Sequence, residues 1–204
     1  SMLVSRDIPV IERGTGAYVQ YDKKSGEPLL ICVPSIPDDA TDNFLMAVRG
    51  FMDHEVAHIL FTDVKAGSGF LWNAVEDVFI EKRMAETFLG SKSNLGNTHQ
   101  HVIDTVFNVR ESRAFVDTMG DQYRLFLEFY LVPVLRAWAG QLPFIDYMKP
   151  RWGNVSEPVK ILTNPGVDKM LNKITCSTDA NSVAALIAKL LREGKGSKKE
   201  HKPA

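Results

Sequence analysis

The sequence predicts an α+β fold that is mostly α-helical. Apolar residues recur at three- and four-residue spacing through most of the chain beyond residue 41. Only two short runs near the N-terminus, AYVQY and LLICV, combine aromatic and β-branched residues with turn chemistry between them. With 204 residues, 45% of them hydrophobic, and a net charge of −1, the chain can bury one proper core. Residues 1–192 read as one domain. The Gly-, Lys- and Pro-rich stretch 193–204 has no apolar anchor and reads as a disordered linker.

In chain order, Ala17–Tyr21 and Leu29–Val33 read as the two strands of a β-hairpin, because the residues between them include Ser25-Gly26 and Pro28. Pro34 and Pro37 end the second strand. Asp38, Asp39 and Thr41 then offer N-caps to a helix over DNFLMAVRGFMDHEVAHILF, in which Leu45, Val48, Met52, Val56 and Ile59 form an apolar stripe. A turn at Ala66-Gly67-Ser68-Gly69 leads to a second helix over FLWNAVEDVFIEKRM. Further helices are expected over 102–119, over 122–138 with a kink at Pro133, over 159–174 and over 182–194. His99 and His101 are two residues apart, a spacing that points them apart on a helix and together on a strand; the reading adopted for them is a surface loop.

The chemistry concentrates in His54-Glu55-Val56-Ala57-His58. Two histidines four apart share a helix face and can offer nitrogens to one metal ion. The glutamate beside the first is placed to act on a water there. Neither histidine lies on the apolar stripe. The alternative, two histidines that merely flank a neighbouring element, leaves the interposed carboxylate unexplained. A gluzincin-type zinc site of this kind needs a third protein ligand, because zinc takes four groups and a catalytic site keeps one position open. The following helix presents Asn73, Glu76, Asp77 and Ile80 on one face. Adjacent carboxylates are costly to bury without a cation, so one of Glu76 and Asp77 is expected to ligate the metal and the other to orient a ligand imidazole.

HEVAHILFTD, then WNAVEDVFIEKRM, then FLGSKSNL resembles the metallopeptidase-like region that precedes a von Willebrand factor A domain in phage and bacterial proteins related to the cobalt chelatase subunit CobT. The resemblance spans Val48 to Leu95. It implies a zincin-like fold, zinc as cofactor, and a helix carrying Asn73, Glu76, Asp77 and Glu81 after the histidine helix. Where thermolysin-like gluzincins carry a Glu four residues before an Asp, this chain has Asn73 before Asp77. That departure makes Glu76 the first choice as third ligand, with Asp77 as orienter or alternative ligand. The resemblance also implies a C-terminal von Willebrand factor A domain beyond the linker and an AAA+ ATPase partner.

Two functions of different class follow as expectations. The first is a zinc-dependent metallopeptidase acting on a peptide or protein substrate, with Glu55 as general base. The hairpin would then lie beside the cleft, where a peptide can add as a strand. Tyr123, Tyr130, Arg110 and Arg113 are the candidates to steady an oxyanion. The second is a non-catalytic metal-binding module of a chelatase-like assembly. Glu55 favours the first, since metal binding alone has no use for a carboxylate at that position. No apolar run approaches the ~20 residues that span a bilayer, and the polar start SMLVSRD is unlike a signal peptide, so a cytoplasmic protein is expected. The basic tail lacks interleaved aromatics, which argues against nucleic acid. Cys32 and Cys176 read as two buried, reduced thiols.

Overall fold

Thr41 shows how the first helix is positioned. Its hydroxyl accepts the backbone N–H of Phe44 at 3.3 Å, satisfying one of the donors that a helix start leaves free, and Asp42 places a negative charge in the first turn. A computed structural model of the chain describes residues 7–110 and 125–196. In it, α1 runs from Asp42 to Phe61, α2 from Phe70 to Thr87 and α3 from Leu89 to Val102. Three shorter helices follow the undescribed stretch 111–124: α4 (Leu131–Trp138), α5 (Leu142–Met148) and α6 (Ser156–Thr163). They lead to α7 (Val167–Leu171) and the long α8 (Ser177–Gly196). The α+β, mostly helical class read from the sequence is the fold observed.

The hairpin is present as β2 (Tyr18–Tyr21) and β3 (Pro28–Val33), paired antiparallel with Val19 opposite Ile31. Asp22 organises its turn by accepting the backbone N–H groups of Lys24 and Ser25, and Gly26 takes a positive φ of 75°. A third strand, β1 (Val10–Glu12), pairs parallel to β3 on its other side. All three of its residues are exposed, so it carries no alternation by which a sequence reading could find it. The central position of β3 explains its continuous apolar run, which packs down onto α1.

The helices form one core around α2. Its faces meet α1, α3 and α8, and α1 lies most extensively against α3. Gly50 makes that approach close: a Cβ there would fall 2.1 Å from the Asn94 carbonyl oxygen and 2.1 Å from the Thr98 hydroxyl. Thr98 uses the proximity to donate to the Ala47 carbonyl at 2.6 Å. The stripe on α1 is only partly core, since Val48 and Val56 are buried while Leu45 is 37% exposed. Burial extends to the opposite side at Ala47, Gly50 and Ala57, where α3 packs against the helix, while Glu55 lies buried beside Val48 on the side that meets the sheet.

Several expectations need correction. His99 and His101 lie on α3, not in a surface loop, and point apart as helical spacing requires. The expected helix over 159–174 is two helices, broken where Asn164-Pro165 leads into Gly166 at φ 80°, a left-handed conformation that glycine adopts without strain. The turns before Pro133 are widened, with Phe126–Tyr130 in a π-helical stretch. The last helix continues through Gly196, past the boundary expected at 193, while 197–204 lie outside the described residues. Cys176 is exposed; Cys32 is buried as expected. Among the described residues no helix is long and apolar enough to cross a membrane.

Candidate metal centre

His54 and His58 sit one turn apart on α1, and their rings stack edge to face with centroids 4.8 Å apart. Each spends its Nδ1 elsewhere. Nδ1 of His54 lies 2.8 Å from Oε1 of Glu81, and Nδ1 of His58 lies 3.0 Å from the Thr62 hydroxyl. Thr62 also reaches Glu76 closely enough to favour its charged form. A carboxylate can only accept, so His54 is set to carry its proton on Nδ1; His58 in the same tautomer donates to Thr62, and each ring then keeps its Nε2 lone pair free.

Those lone pairs meet Asp77. Its Oδ1 lies 3.4 Å from Nε2 of His58 and 3.8 Å from Nε2 of His54, and the three donor atoms all fall within 4.8 Å of one another. Oδ1 of Asp77 is buried with no hydrogen-bond partner. A buried carboxylate oxygen without a partner is expensive, and two imidazole lone pairs facing it make the arrangement worse unless a cation or proton sits between them. Tetrahedral zinc with bonds of about 2.0–2.1 Å would hold its ligand atoms roughly 3.3 Å apart, close to the spacing of His58 and Asp77. The donor set, two nitrogens and one oxygen, fits zinc or a similar divalent transition metal.

Among the described residues the carboxylate that meets the two histidines is that of Asp77, and Glu76 faces another way. Glu76 is fully buried between α2 and α8, where its Oε1 accepts the Ser177 hydroxyl at 2.7 Å; Ser177 in turn accepts the Asp63 backbone N–H. Side chains one residue apart on a helix differ by about 100° in direction, so only one of the pair can face α1. The identity of the helix and face is legible in WNAVED; the choice between neighbours depends on how α2 is rotated against α1, which α8 decides by taking Glu76.

Glu81 is the hub of the surrounding network. Its Oε1 takes His54, and its Oε2 accepts from Nε2 of His99 at 2.8 Å, Nη1 of Arg136 at 2.6 Å and Nε2 of Gln141 at 2.7 Å. Nη2 of Arg136 reaches Oδ2 of Asp77 at 3.3 Å, and the Asn73 amide donates to the same oxygen. The charges follow this geometry. Burial would raise the Glu81 carboxyl, but Arg136 and His99 hold it well below the usual range. Burial would also raise Asp77, and His58, His54 and Arg136 outweigh it to hold that carboxyl down. His54 is pulled down by burial but lifted more by Glu81, Asp77 and Glu55, to about 9 in the metal-free chain. Such a site is built to hold positive charge.

Glu55 lies beside these donors on the sheet side of α1. It is 4% exposed, and burial raises its carboxyl above the ordinary value against the pull of His54 and His58. Near it the Tyr21 hydroxyl of β2 is buried without a partner, and burial together with Glu55 and Glu76 pushes Tyr21 up to about 12. His54, His58 and Asp77 keep 17%, 15% and 13% of their side chains exposed, so the centre is reachable from solvent yet largely dry.

Of the expected oxyanion groups, Arg110 is exposed and Tyr130 is buried; Tyr123 and Arg113 lie outside the described residues. The neighbours that sequence reasoning missed are Thr62, His99, Arg136, Gln141 and Ser177. Arg136 left a signal, as the lone charged residue in the apolar helix LVPVLRAW. No family model matches the chain, and no curated protein or solved structure matches it.

Proposed function

We propose that this chain is a zinc-dependent, metallopeptidase-like hydrolase. The observation that carries the reading is the convergence of Nε2 of His54, Nε2 of His58 and the unpartnered Oδ1 of Asp77, with Glu55 next in sequence to the first ligand. When bound, the metal supplies Lewis-acid polarisation of a carbonyl and acidifies water. The chain's own groups do the rest. Glu55, with its carboxyl raised by burial, accepts the proton of the attacking water and returns it to the leaving amine. Glu81 and Thr62 hold the imidazoles in orientation and tautomer. β2 is an edge strand whose Val19 backbone lies against Glu55, so an extended peptide added along that edge would run next to the base.

The test is Glu55→Gln in zinc-loaded protein, assayed against a diverse peptide library. Gln keeps the size of the side chain and removes the base, so zinc content and fold are expected to persist while hydrolysis falls by a factor of about 10²–10⁴. Cleavage that survives in Glu55→Gln would sink the assignment of the base. No cleavage by the parent, together with metal-dependent capture of an AAA+ ATPase that Glu55→Gln leaves unchanged, would replace the hydrolase with a metal-binding module of a chelatase-like assembly.

A further inference from the structure

Arg136 is the group in the metal centre whose role neither a peptidase nor a metal carrier requires in advance. It comes from α4, more than fifty residues beyond the ligands, and its side chain is only 9% exposed. Both of its terminal nitrogens are engaged. Nη1 serves Oε2 of Glu81 at 2.6 Å and the side-chain oxygen of Gln141 at 3.2 Å, Nη2 serves Oδ2 of Asp77 at 3.3 Å, and the guanidinium lies 5.4 Å from the centre of the Phe144 ring. A buried side chain tied to both carboxylates acts on the centre through them.

We propose that Arg136 is a positioning residue that fixes how the centre presents its oxygen atoms. Each carboxylate has two oxygens. Among the described residues, Arg136 is the one charged group that holds an oxygen of both by hydrogen bonds: with the Asn73 amide it takes Oδ2 of Asp77, and with His99 and Gln141 it takes Oε2 of Glu81, leaving Oδ1 to face a metal and Oε1 to hold His54. Without that grip, Asp77 could turn both oxygens to the ion and raise its coordination number, using the position a catalytic zinc keeps for water. Glu81 would likewise lose the countercharge that keeps it in place under His54. A planar guanidinium can bridge two carboxylates in this way because its N–H groups form a rigid fork. An ammonium of the same charge carries all its donors on one nitrogen and lacks that fork. The inference rests on the reading of His54, His58 and Asp77 as a metal centre.

The experiment therefore measures the parent chain first and Arg136→Lys second, with zinc and cobalt(II) alone as probes. The parent is expected to bind one zinc per chain, and X-ray absorption of that zinc is expected to show a single oxygen from Asp77. Arg136→Lys preserves the charge. It is expected to keep its helical circular dichroism, to bind zinc about 10–100-fold more weakly, and to show weaker visible bands when cobalt-loaded as coordination number rises. A purely structural arginine would change stability and leave the cobalt spectrum where it was. Equal zinc affinity and a superimposable cobalt spectrum in Arg136→Lys would overturn the role of Arg136 while the metal centre stands. Two Asp77 oxygens on zinc in the parent would overturn it with no variant needed, and so decides the matter even if Arg136→Lys fails to fold. A parent chain that binds neither metal would overturn both readings together.

Discussion

Asp77 and Glu76 are chemically near-identical neighbours whose fates diverge because of what each one meets. Asp77 keeps an unpartnered Oδ1 before two imidazoles, whereas Glu76 is turned into the α2–α8 interface and bonded to Ser177. Asp77→Ala removes the proposed third ligand and is expected to weaken zinc binding by more than the 10–100-fold typical of losing an outer hydrogen-bond partner. Glu76→Gln keeps an oxygen to accept from Ser177 and replaces a buried carboxylate oxygen that has no partner, so zinc affinity is expected to change less than tenfold and thermal stability to hold or rise. Chelator competition on the two variants checks both, and the opposite order would show that α2 is rotated the other way in solution. The histidine pair and its glutamate were legible because HExxH spacing is local to one helix. Choosing between adjacent acids was not, because 100° of helix rotation is settled by a contact with Ser177, 101 residues away.

Helix packing sets the distances between these side chains. The α1–α3 contact forms only because Gly50 has no side chain, and it brings the His99 helix beside Glu81. Gly50→Ala gains helix propensity, but its Cβ would press on the backbone oxygen of Asn94, which cannot move without moving α3. The clash is expected to dominate, costing about 1–3 kcal/mol and lowering the melting temperature by roughly 2–12 °C in a chain of this size. Calorimetry on the metal-free protein measures it; an unchanged or higher melting point would mean the helices are farther apart than described. At this scale the sequence reading succeeded for long periodic segments, α1, α2 and the hairpin among them. It failed for α3, whose Leu89–Val102 is rich in Gly, Ser and Asn and carries little apolar periodicity. It also merged α6 with α7, because the apolar spacing runs on through the Pro165-Gly166 break.

The whole molecule gathers Asp77, Glu81 and Arg136 into one network with His54, and places Glu55 and Glu76 close by, within a single core. Metal that binds the folded chain and not the unfolded one adds to stability, by about 2.7 kcal/mol when free zinc is a hundred times its dissociation constant. Chelation under those conditions is expected to lower the melting temperature by roughly 5–11 °C, and His54→Ala should remove the difference between chelated and zinc-loaded samples. An equal melting point for parent protein with and without chelator would count against a native-state metal site. The sequence alone determined what is short-range: the mostly helical class through its periodicity, the hairpin through its turn residues, and a histidine pair with its glutamate through one helical turn. The tertiary structure decided which acid faces the two histidines, that Glu81 rather than Glu76 or Asp77 holds Nδ1 of His54, and that Arg136 reaches them from α4. Each of those choices depends on the rotation and approach of helices distant in sequence. Packing against a partner sets that rotation, and no local spacing encodes it.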